Sequence, residues 1–461
     1  MNKISLGAYL SIVLTILVSG AFGANLLPRF EQFSLPNGLK IVAWEDHEQP
    51  MVYFSLMVKC GPASDSANLS GLAALTSFML KEGSKKYPGA ELAEVIDSVG
   101  GMLRSYQDEK DALLFEGNFM SRDLAFGMDI LGDMLAHPTF PEDALDRLKR
   151  RLIAAILQYR SIPGIFLKDA LYHAFYDNQG YGLPNRGRVA TINRITIKEV
   201  TQFYRDNIRP GNSVLIIAGD FSLMNLRKIV NSSFSGWQNG GKCWNIGGSV
   251  TIPDSSKIIL IDNPTAPGVD FALGRAIVPA SSPDFPSLAL LNYILGGGGR
   301  ISRLFQNLVG NNALATYVSS SLDLSKGNGL IYISGATTRD AIGDAMIQIK
   351  ATFDDLRNIR IPVRELEGAK YFYRGYFASL YETPQSSVDI LSRLLSHGVS
   401  LDFHDKLLAE FDRIDVNRLR NIAERYLNYN NYVIVVSGSE AALKNSLLPL
   451  GAVEVVKPGQ K

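Results

Sequence analysis

Histidine and cysteine are scarce in this chain of 461 residues, which holds five of the first and two of the second. The histidines are His47, His137, His173, His397 and His404, and no two stand four apart. A helical zinc site needs two imidazoles one turn apart on one face, so a two-histidine site of that kind is excluded. Neither Cys60 nor Cys243 has a histidine near it in sequence, and no G-x-S-x-G elbow occurs, so hydrolysis through an activated nucleophile has no support. A surplus of charge is also missing. Lys and Arg total 46 against 45 Asp and Glu, a formal net charge of +1, which implies no pull toward nucleic acid or an anionic membrane. The segment GGGGRIS lacks the lysine and the spacing of a phosphate loop, and glycines permitting a tight turn account for it. The two cysteines are far apart in sequence: an exported chain can pair them, and two buried free thiols explain them equally.

Apolar bulk is what the chain does have. Hydrophobic residues make up 46% of it, enough for a large core, and the length suits two or three domains. Lys3 precedes an apolar run from Leu6 to Val18, and Ala21-Phe22-Gly23 offers small residues at a cleavage site before Ala24. Residues 1–23 therefore read as a signal peptide. The mature chain is expected in the periplasm or otherwise exported, with no membrane span once the signal is cleaved. The alternative, an uncleaved anchor, asks for ~20 apolar residues, more than this run supplies.

Pro36-Asn37-Gly38 is a turn between two extended runs, and the strand candidate Met51–Val58 follows. Helical periodicity covers Gly71–Lys81, Ala90–Val99, Arg122–Ala136, Pro141–Tyr159 and Ile165–Phe175, with the strand-like ALLFEGNF among them. This is mixed α and β without strict alternation. An internal repeat organises the rest. NRITIKEVTQFYRDNIRPGNSVLIIAGD, from Asn193 to Asp220, returns in outline as DRIDVNRLRNIAERYLNYNNYVIVVSGS, from Asp412 to Ser439. Arg194 matches Arg413, Ile195 matches Ile414, Asn212 matches Asn431 and Gly219 matches Gly438, all at one offset. In each copy an N-cap residue, Thr196 or Asp415, opens an amphipathic helix, with Thr196 and Glu199 forming a capping box. A turn then leads into a strand that is apolar on both faces. The glycine-rich stretch from Ser235 to Ser249 suits a linker, which divides the mature chain into domains 24–247 and 248–461.

The stretch GLAALTSFMLKEGSKKYP, from Gly71 to Pro88, resembles the signature helix of the pitrilysin/insulinase family of zinc metallopeptidases. In that family an H-x-x-E-H motif sits in a frame like G-L-A-H-F-L-E-H-M-L-F-K-G-T. Gly71, Leu72, Ala73, Met79, Leu80 and Gly83 match the frame. The two imidazole positions fall on Ala74 and Phe78, and the catalytic glutamate falls on Ser77. The third ligand, a glutamate on a later helix, falls on Ala155 within LKRRLIAAILQ. Every position of the zinc chemistry is thus substituted. The resemblance runs along nearly the whole mature chain. FYDNQGYGLPNRG is similar to the family's H-P-Y-G-x-P-x-x-G segment, FYRDNIRPGNSVLIIAGD to its F-Y-x-x-x-Y-x-P-x-N strand region, and ILGGGGRISRLFQNL to the start of the second half's signature. In active members that signature continues as L-R-x-K-x-G-L-A-Y, whose arginine and tyrosine bind substrate and the reacting carbonyl. Here LVGNNALATYVSS keeps Tyr317 at the tyrosine position but has Val309 or Gly310 for the arginine, with Arg300 and Arg303 as nearby substitutes. Tyr317 reads equally as a plain strand aromatic.

The resemblance implies an α+β fold of two homologous domains, each a mostly antiparallel sheet packed with helices. It implies a non-catalytic chain with no cofactor and no metal, its degenerate site filled by apolar side chains and dry, because ionised ligands buried without a metal are costly. The expected partner is a zinc-bearing homologous subunit, or a second copy as a homodimer, and the expected ligand is a peptide held by β-augmentation. The alternatives are a stand-alone peptide-binding or chaperone-like protein and a hydrolase with an unrecognised site. The run DRLKRRL, from Asp146 to Leu152, reads as a solvated helix face.

Overall fold

The computed structural model describes residues 26–89, 91–106, 110–159, 163–241, 250–253 and 255–457. The signal segment 1–23, Ala90, Cys243 and the boundary at 247/248 lie outside them. The described chain opens with the expected hairpin: β1 (Glu31–Ser34) pairs antiparallel with β2 (Lys40–Glu45), Glu31 opposite Ala43. Gly38 closes the turn at φ 92°, a left-handed conformation that a side chain resists. β3 (Met51–Val58), β4 (Met102–Tyr106), β5 (Leu113–Met120) and β6 (Ser213–Gly219) complete a six-stranded sheet in the order β1-β2-β6-β3-β5-β4. Only β2 with β6 is parallel in it.

The second half builds its own six-stranded sheet from β7 (Lys257–Asp262), β8 (Val269–Ile277), β9 (Tyr317–Asp323), β10 (Gly329–Thr337), β11 (Val433–Gly438) and β12 (Ala452–Val456). Its order is β12-β7-β11-β8-β10-β9, with β7 parallel to both β11 and β12 and the other pairs antiparallel. From β2 to β4 and from β7 to β9, the two sheets correspond in order and direction. They differ at one rim, where a hairpin strand in the first half is replaced by a parallel C-terminal strand in the second.

The repeat seen in sequence is the segment that threads each sheet. Helix Ile197–Asn207 leads through a short turn into β6, and helix Val416–Tyr426 leads likewise into β11. Both start on the expected caps. Thr196 Oγ1 accepts from Lys198 N–H at 3.3 Å while Glu199 accepts from Thr196 N–H at 2.8 Å, and Asp415 Oδ1 accepts from Arg418 N–H at 2.8 Å. Asn212 and Asn431 fix the turns by donating to carbonyls, Asn207 O at 3.0 Å and Pro253 O at 3.0 Å. β6 and β11 are buried along their whole length, because each lies between other strands and beneath packing on both faces.

What covers those faces joins the halves. Helix Pro163–Tyr176 belongs to the first half in sequence but packs on β8 and β11 of the second sheet, setting Leu171 and Phe175 against Ala272, Ala276, Val433 and Val435. Gly274 in the middle of β8 makes room: a Cβ there would meet Leu171 Cδ1 at 2.9 Å. Helix Pro384–Ser396 makes the reciprocal crossing, lying on β3 and β6 with Val388 and Leu391 in one core with Val42, Val214 and Ile216. The opposite face of the first sheet, with Ile41, Leu215 and Ile217, packs under its own half's helices. Each buried leucine or phenylalanine of this kind contributes about 1.5–3 kcal/mol, so the exchanged helices bind the halves into one body.

Candidate functional site

The signature helix spans Leu72–Met79 and tightens into a last turn at Leu80–Glu82. Its N-cap, Gly71, has φ 96° and lies against Gly187 and Ile192, where a Cβ would meet Ile192 Cδ1 at 2.5 Å. The orphan N–H groups of its first turn are satisfied from outside the helix: Asp65 accepts from Gly71 at 2.8 Å and from Ala73 at 3.1 Å. Burial pushes the Asp65 carboxyl up to about 7, while the N–H groups of Gly71, Ala73 and Leu72 pull it down.

Ala74 and Ser77 are fully buried, and the Ser77 hydroxyl donates to the Ala74 carbonyl at 2.8 Å. Phe78 is half-buried and packs on the first half's core together with Ile153 of helix Glu142–Tyr159, on which Ala155 is likewise half-buried. These four positions do not fit zinc. Three carry only hydrocarbon, and the one hydroxyl is engaged within its own helix turn. Among the described residues, no three His, Cys, Asp or Glu side chains come together to hold a metal. The expectation that apolar side chains fill the site as core packing needs one correction. Leu75 and Met79 are core residues at 0% exposure, but Phe78 and Ala155 lie at the edge of the packing between the two helices and reach solvent. The charged run from Asp146 is a solvated face as expected, with Arg147 meeting Glu82 at 3.0 Å.

In the second half, the glycine run packs against β9. A Cβ on Gly296 would meet the Ser320 backbone nitrogen at 2.6 Å, so close backbone approach, not phosphate binding, explains the glycine there. Tyr317 begins β9 at the outer edge of its sheet, 45% exposed, its phenol held above the usual range by partial burial and by Asp270. Of the two candidate arginines, Arg303 makes a fork to Glu365 at 2.9 and 3.0 Å, and Arg300 is exposed.

Between the halves lies a cavity of about 970 Å³ whose wall includes Lys110, Lys168, Asp169, Arg186, Arg188 and Asp323. Lys110 donates to the carbonyls of Tyr181 at 2.8 Å and Leu183 at 2.9 Å, and its ammonium stands 4.5 Å from the centre of the Tyr172 ring. Burial lowers its proton affinity, against the pull of Asp169 and Asp323. Burial acts oppositely on Asp169, raising its pKa while Lys110, Lys168, Arg188 and Arg186 hold it down. Burial opposes the charge on Lys168 as well, but Asp323 at 2.8 Å keeps it above the usual lysine range.

Beside the cavity a set of tyrosines latches the two halves. Tyr172 donates to Asp323 at 2.6 Å, Tyr176 to the Asn328 carbonyl at 2.5 Å and Tyr181 to Asp111 at 2.6 Å. Asp111 also accepts the Lys326 N–H at 2.8 Å, and the Tyr181 oxygen accepts the Gly327 N–H at 2.9 Å. Sequence reasoning singled out none of these as functional, because the partners are far apart along the chain. The segment FYDNQGYGLPNRG, which carries Tyr176, Tyr181 and Arg186, was the available signal.

A doubled α+β fold, the retained signature frame and its substituted ligand positions define a class: the chain belongs to the insulinase/pitrilysin peptidase family, as a member without zinc ligands at the signature positions. The model of the Insulinase (Peptidase family M16) domain matches residues 40–187, and that of the Peptidase M16 inactive domain matches residues 194–371. The chain is similar to the Bacillus subtilis (strain 168) protein named uncharacterized zinc protease YmxG, at 23% identity over 412 residues, 89% of this chain and 98% of that one. It is 21% identical over 400 residues to a Helicobacter pylori protein named non-peptidase homolog YmxG, covering 86% of this chain and 91% of the other. Among solved structures, the peptidase M16 inactive domain from Pseudomonas fluorescens has the same fold, with a TM-score of 0.81 at 23% identity over 89% of this chain and 98% of that one.

Proposed function

We propose that this chain is an exported, non-catalytic subunit that forms part of a peptide-binding chamber together with a homologue bearing H-x-x-E-H. One observation carries the reading. The signature helix is kept in place by Asp65, Gly71 and its buried apolar face, while Ala74, Ser77, Phe78 and Ala155 have no means of holding zinc. A scaffold retained around a lost site fits a chain whose surfaces still have a task. The concave space between the halves and the sheet edges at β4 and β9 suit an extended peptide, whose backbone an edge strand pairs with little demand on side chains. Tyr317, exposed on the β9 edge, is the residue this chain would offer to a partner's reacting carbonyl. Export rests on the signal-like N-terminus, and the H. pylori relative's description as a non-peptidase homolog supports the non-catalytic role.

The test is affinity purification of the tagged chain from its native envelope fraction, with mass spectrometry of whatever co-elutes near one-to-one. A partner carrying H-x-x-E-H is the expected result. Elution of the chain alone would overturn the subunit reading in favour of a stand-alone peptide-binding protein, and peptide cleavage by the purified chain abolished by a chelator would overturn both.

A further inference from the structure

Resting on the peptide-binding reading, we propose that the cavity between the halves takes aromatic side chains of the bound peptide, with Tyr376 as the ring on which they stack. Tyr376 lies on helix Val363–Leu380 and lines the cavity. One side of that helix is apolar and inward, where Leu366, Ala369 and Phe377 are buried in the core. Phe372 and Tyr376 stand one turn apart on its flank and remain 40% and 45% exposed, a large amount of aromatic surface for a helix that is otherwise well packed.

The exposed rings are held in place. Tyr376 and Phe372 stack with centroids 5.6 Å apart and planes within 9°, and Phe372 rests in turn on the buried Tyr293 at 4.6 Å. Tyr373 meets Tyr376 edge-on at 6.5 Å, and Phe377 lies 5.8 Å from it. These are the separations at which aromatic pairs attract. The row is therefore fixed without being covered, and a ring added to it loses little freedom on the protein's side. Two glycines keep it clear. Gly368 and Gly375 lower the helix propensity here, yet a Cβ at either would meet nothing within 4 Å, so no contact inside the chain calls for them.

Other rings of the cavity wall are already occupied. Arg186 lies over Tyr159 at 3.8 Å, the Lys168 ammonium stands 5.4 Å from the centre of Tyr332, and Tyr172 is 2% exposed beneath Lys110. Tyr376 is the lining ring left with open surface. The backbone component shares the wall: among the described residues β9 is hydrogen-bonded only to β10, and its Leu322 and Asp323 line the cavity. An extended segment paired to that edge turns every second side chain the same way, because the strand period is two. The volume, at the upper end of the ~300–1,000 Å³ range of binding pockets, admits several residues of such a segment, large side chains included.

Fluorescence anisotropy of the purified full chain tests this with three end-blocked peptides of one length that carry Phe, Leu or Ser at the same alternate positions. We expect the Phe peptide to bind about fivefold tighter than the Leu peptide, and the Ser peptide to bind weakest. The gap between Phe and Leu should hold from about 0.05 to 0.5 M salt, because ring stacking is not screened as charge pairs are. Tyr376→Leu keeps apolar bulk but removes the ring, and should bring the two affinities within about twofold. Tyr371→Leu, on the same helix at 74% exposure and outside the cavity lining, should leave the gap as it is. If Tyr376→Leu melts early, the wild-type chain is photo-crosslinked instead to a peptide with benzoylphenylalanine at one of the same positions, and adducts are expected within Val363–Leu380. Equal affinity for the Phe and Leu peptides overturns the aromatic selectivity and leaves peptide binding standing. A gap that survives Tyr376→Leu, a gap that Tyr371→Leu closes as well, or adducts confined to other segments do the same. Failure of all three peptides to bind overturns the peptide-binding reading itself, and this inference with it.

Discussion

Tyr181→Phe removes one oxygen from the latch between the halves, and its effect can be worked out from the contacts. The phenol donates to Asp111 at 2.6 Å and accepts the Gly327 N–H at 2.9 Å, with the side chain 3% exposed. Burial first, and then Asp111, keep its proton on throughout the accessible pH range, so it is always the donor. Phenylalanine retains the ring and its edge-on contact with Tyr176 at 5.3 Å, so packing changes little. A hydrogen bond to a carboxylate contributes about 1.5–3 kcal/mol, and leaving a buried N–H without an acceptor costs about 1–3 kcal/mol. Allowing for partial relaxation, the loss should be about 3 kcal/mol, roughly a 150-fold shift in the local opening equilibrium. Hydrogen exchange followed by mass spectrometry reads this directly on fragments covering Tyr176–Leu183 and Asp323–Gly329. We expect exchange there to accelerate about 100-fold while helix Leu72–Met79 is unaffected, since local opening is reported segment by segment. Gly327→Ala should loosen the same fragments, because its Cβ would meet the Tyr181 ring at 2.9 Å. Exchange altered less than about threefold in Tyr181→Phe would refute the view that this residue couples the halves.

Four further outcomes are expected. Asp65 has a folded pKa of about 7, above its unfolded value of about 3.9, so the folded state binds more protons between the two and stability falls as pH rises from about 4 to about 7. Asp65→Asn should flatten that part of the profile in urea titrations, and an unchanged slope counts against the assignment. Gly296→Ala should destabilise by about 1–3 kcal/mol by pushing β9 away from the Ser320 backbone, and a urea midpoint equal to wild type would contradict it. The quadruple variant A74H/S77E/F78H/A155E should retain less than one equivalent of zinc after dialysis, because the groups that orient ligands are also missing; tight stoichiometric zinc would refute this. Cys60, a free thiol at 3% exposure whose pKa burial pushes up to about 12, should resist alkylation until the chain is unfolded, and rapid labelling of the native chain at Cys60 would show the packing to be wrong.

Much of the architecture was legible because it is written in local patterns. The capping residues Thr196 and Asp415, the turn asparagines Asn212 and Asn431 and the doubly apolar strands recur at one offset, and such a repeat can only be the same unit folded twice. The bounds of β3 could be read directly, since an eight-residue apolar run between turn signals has few other uses. The substitutions at Ala74, Ser77, Phe78 and Ala155 were equally plain, because the loss of a ligand is a property of residue type.

What the sequence by itself determined is therefore the pair of homologous halves and the absence of zinc ligands at the signature positions. Tertiary structure alone decided how the halves join. Nothing in the periodicity of Pro163–Tyr176 or Pro384–Ser396 says that each helix covers the other half's sheet, because an apolar helix face fits either surface and only three-dimensional complementarity, such as Leu171 against the bare Gly274, selects one. The cavity between the halves is hidden for the same reason: Lys110, Lys168, Asp169, Arg186 and Asp323 are spread along the chain, and only folding brings them to one wall.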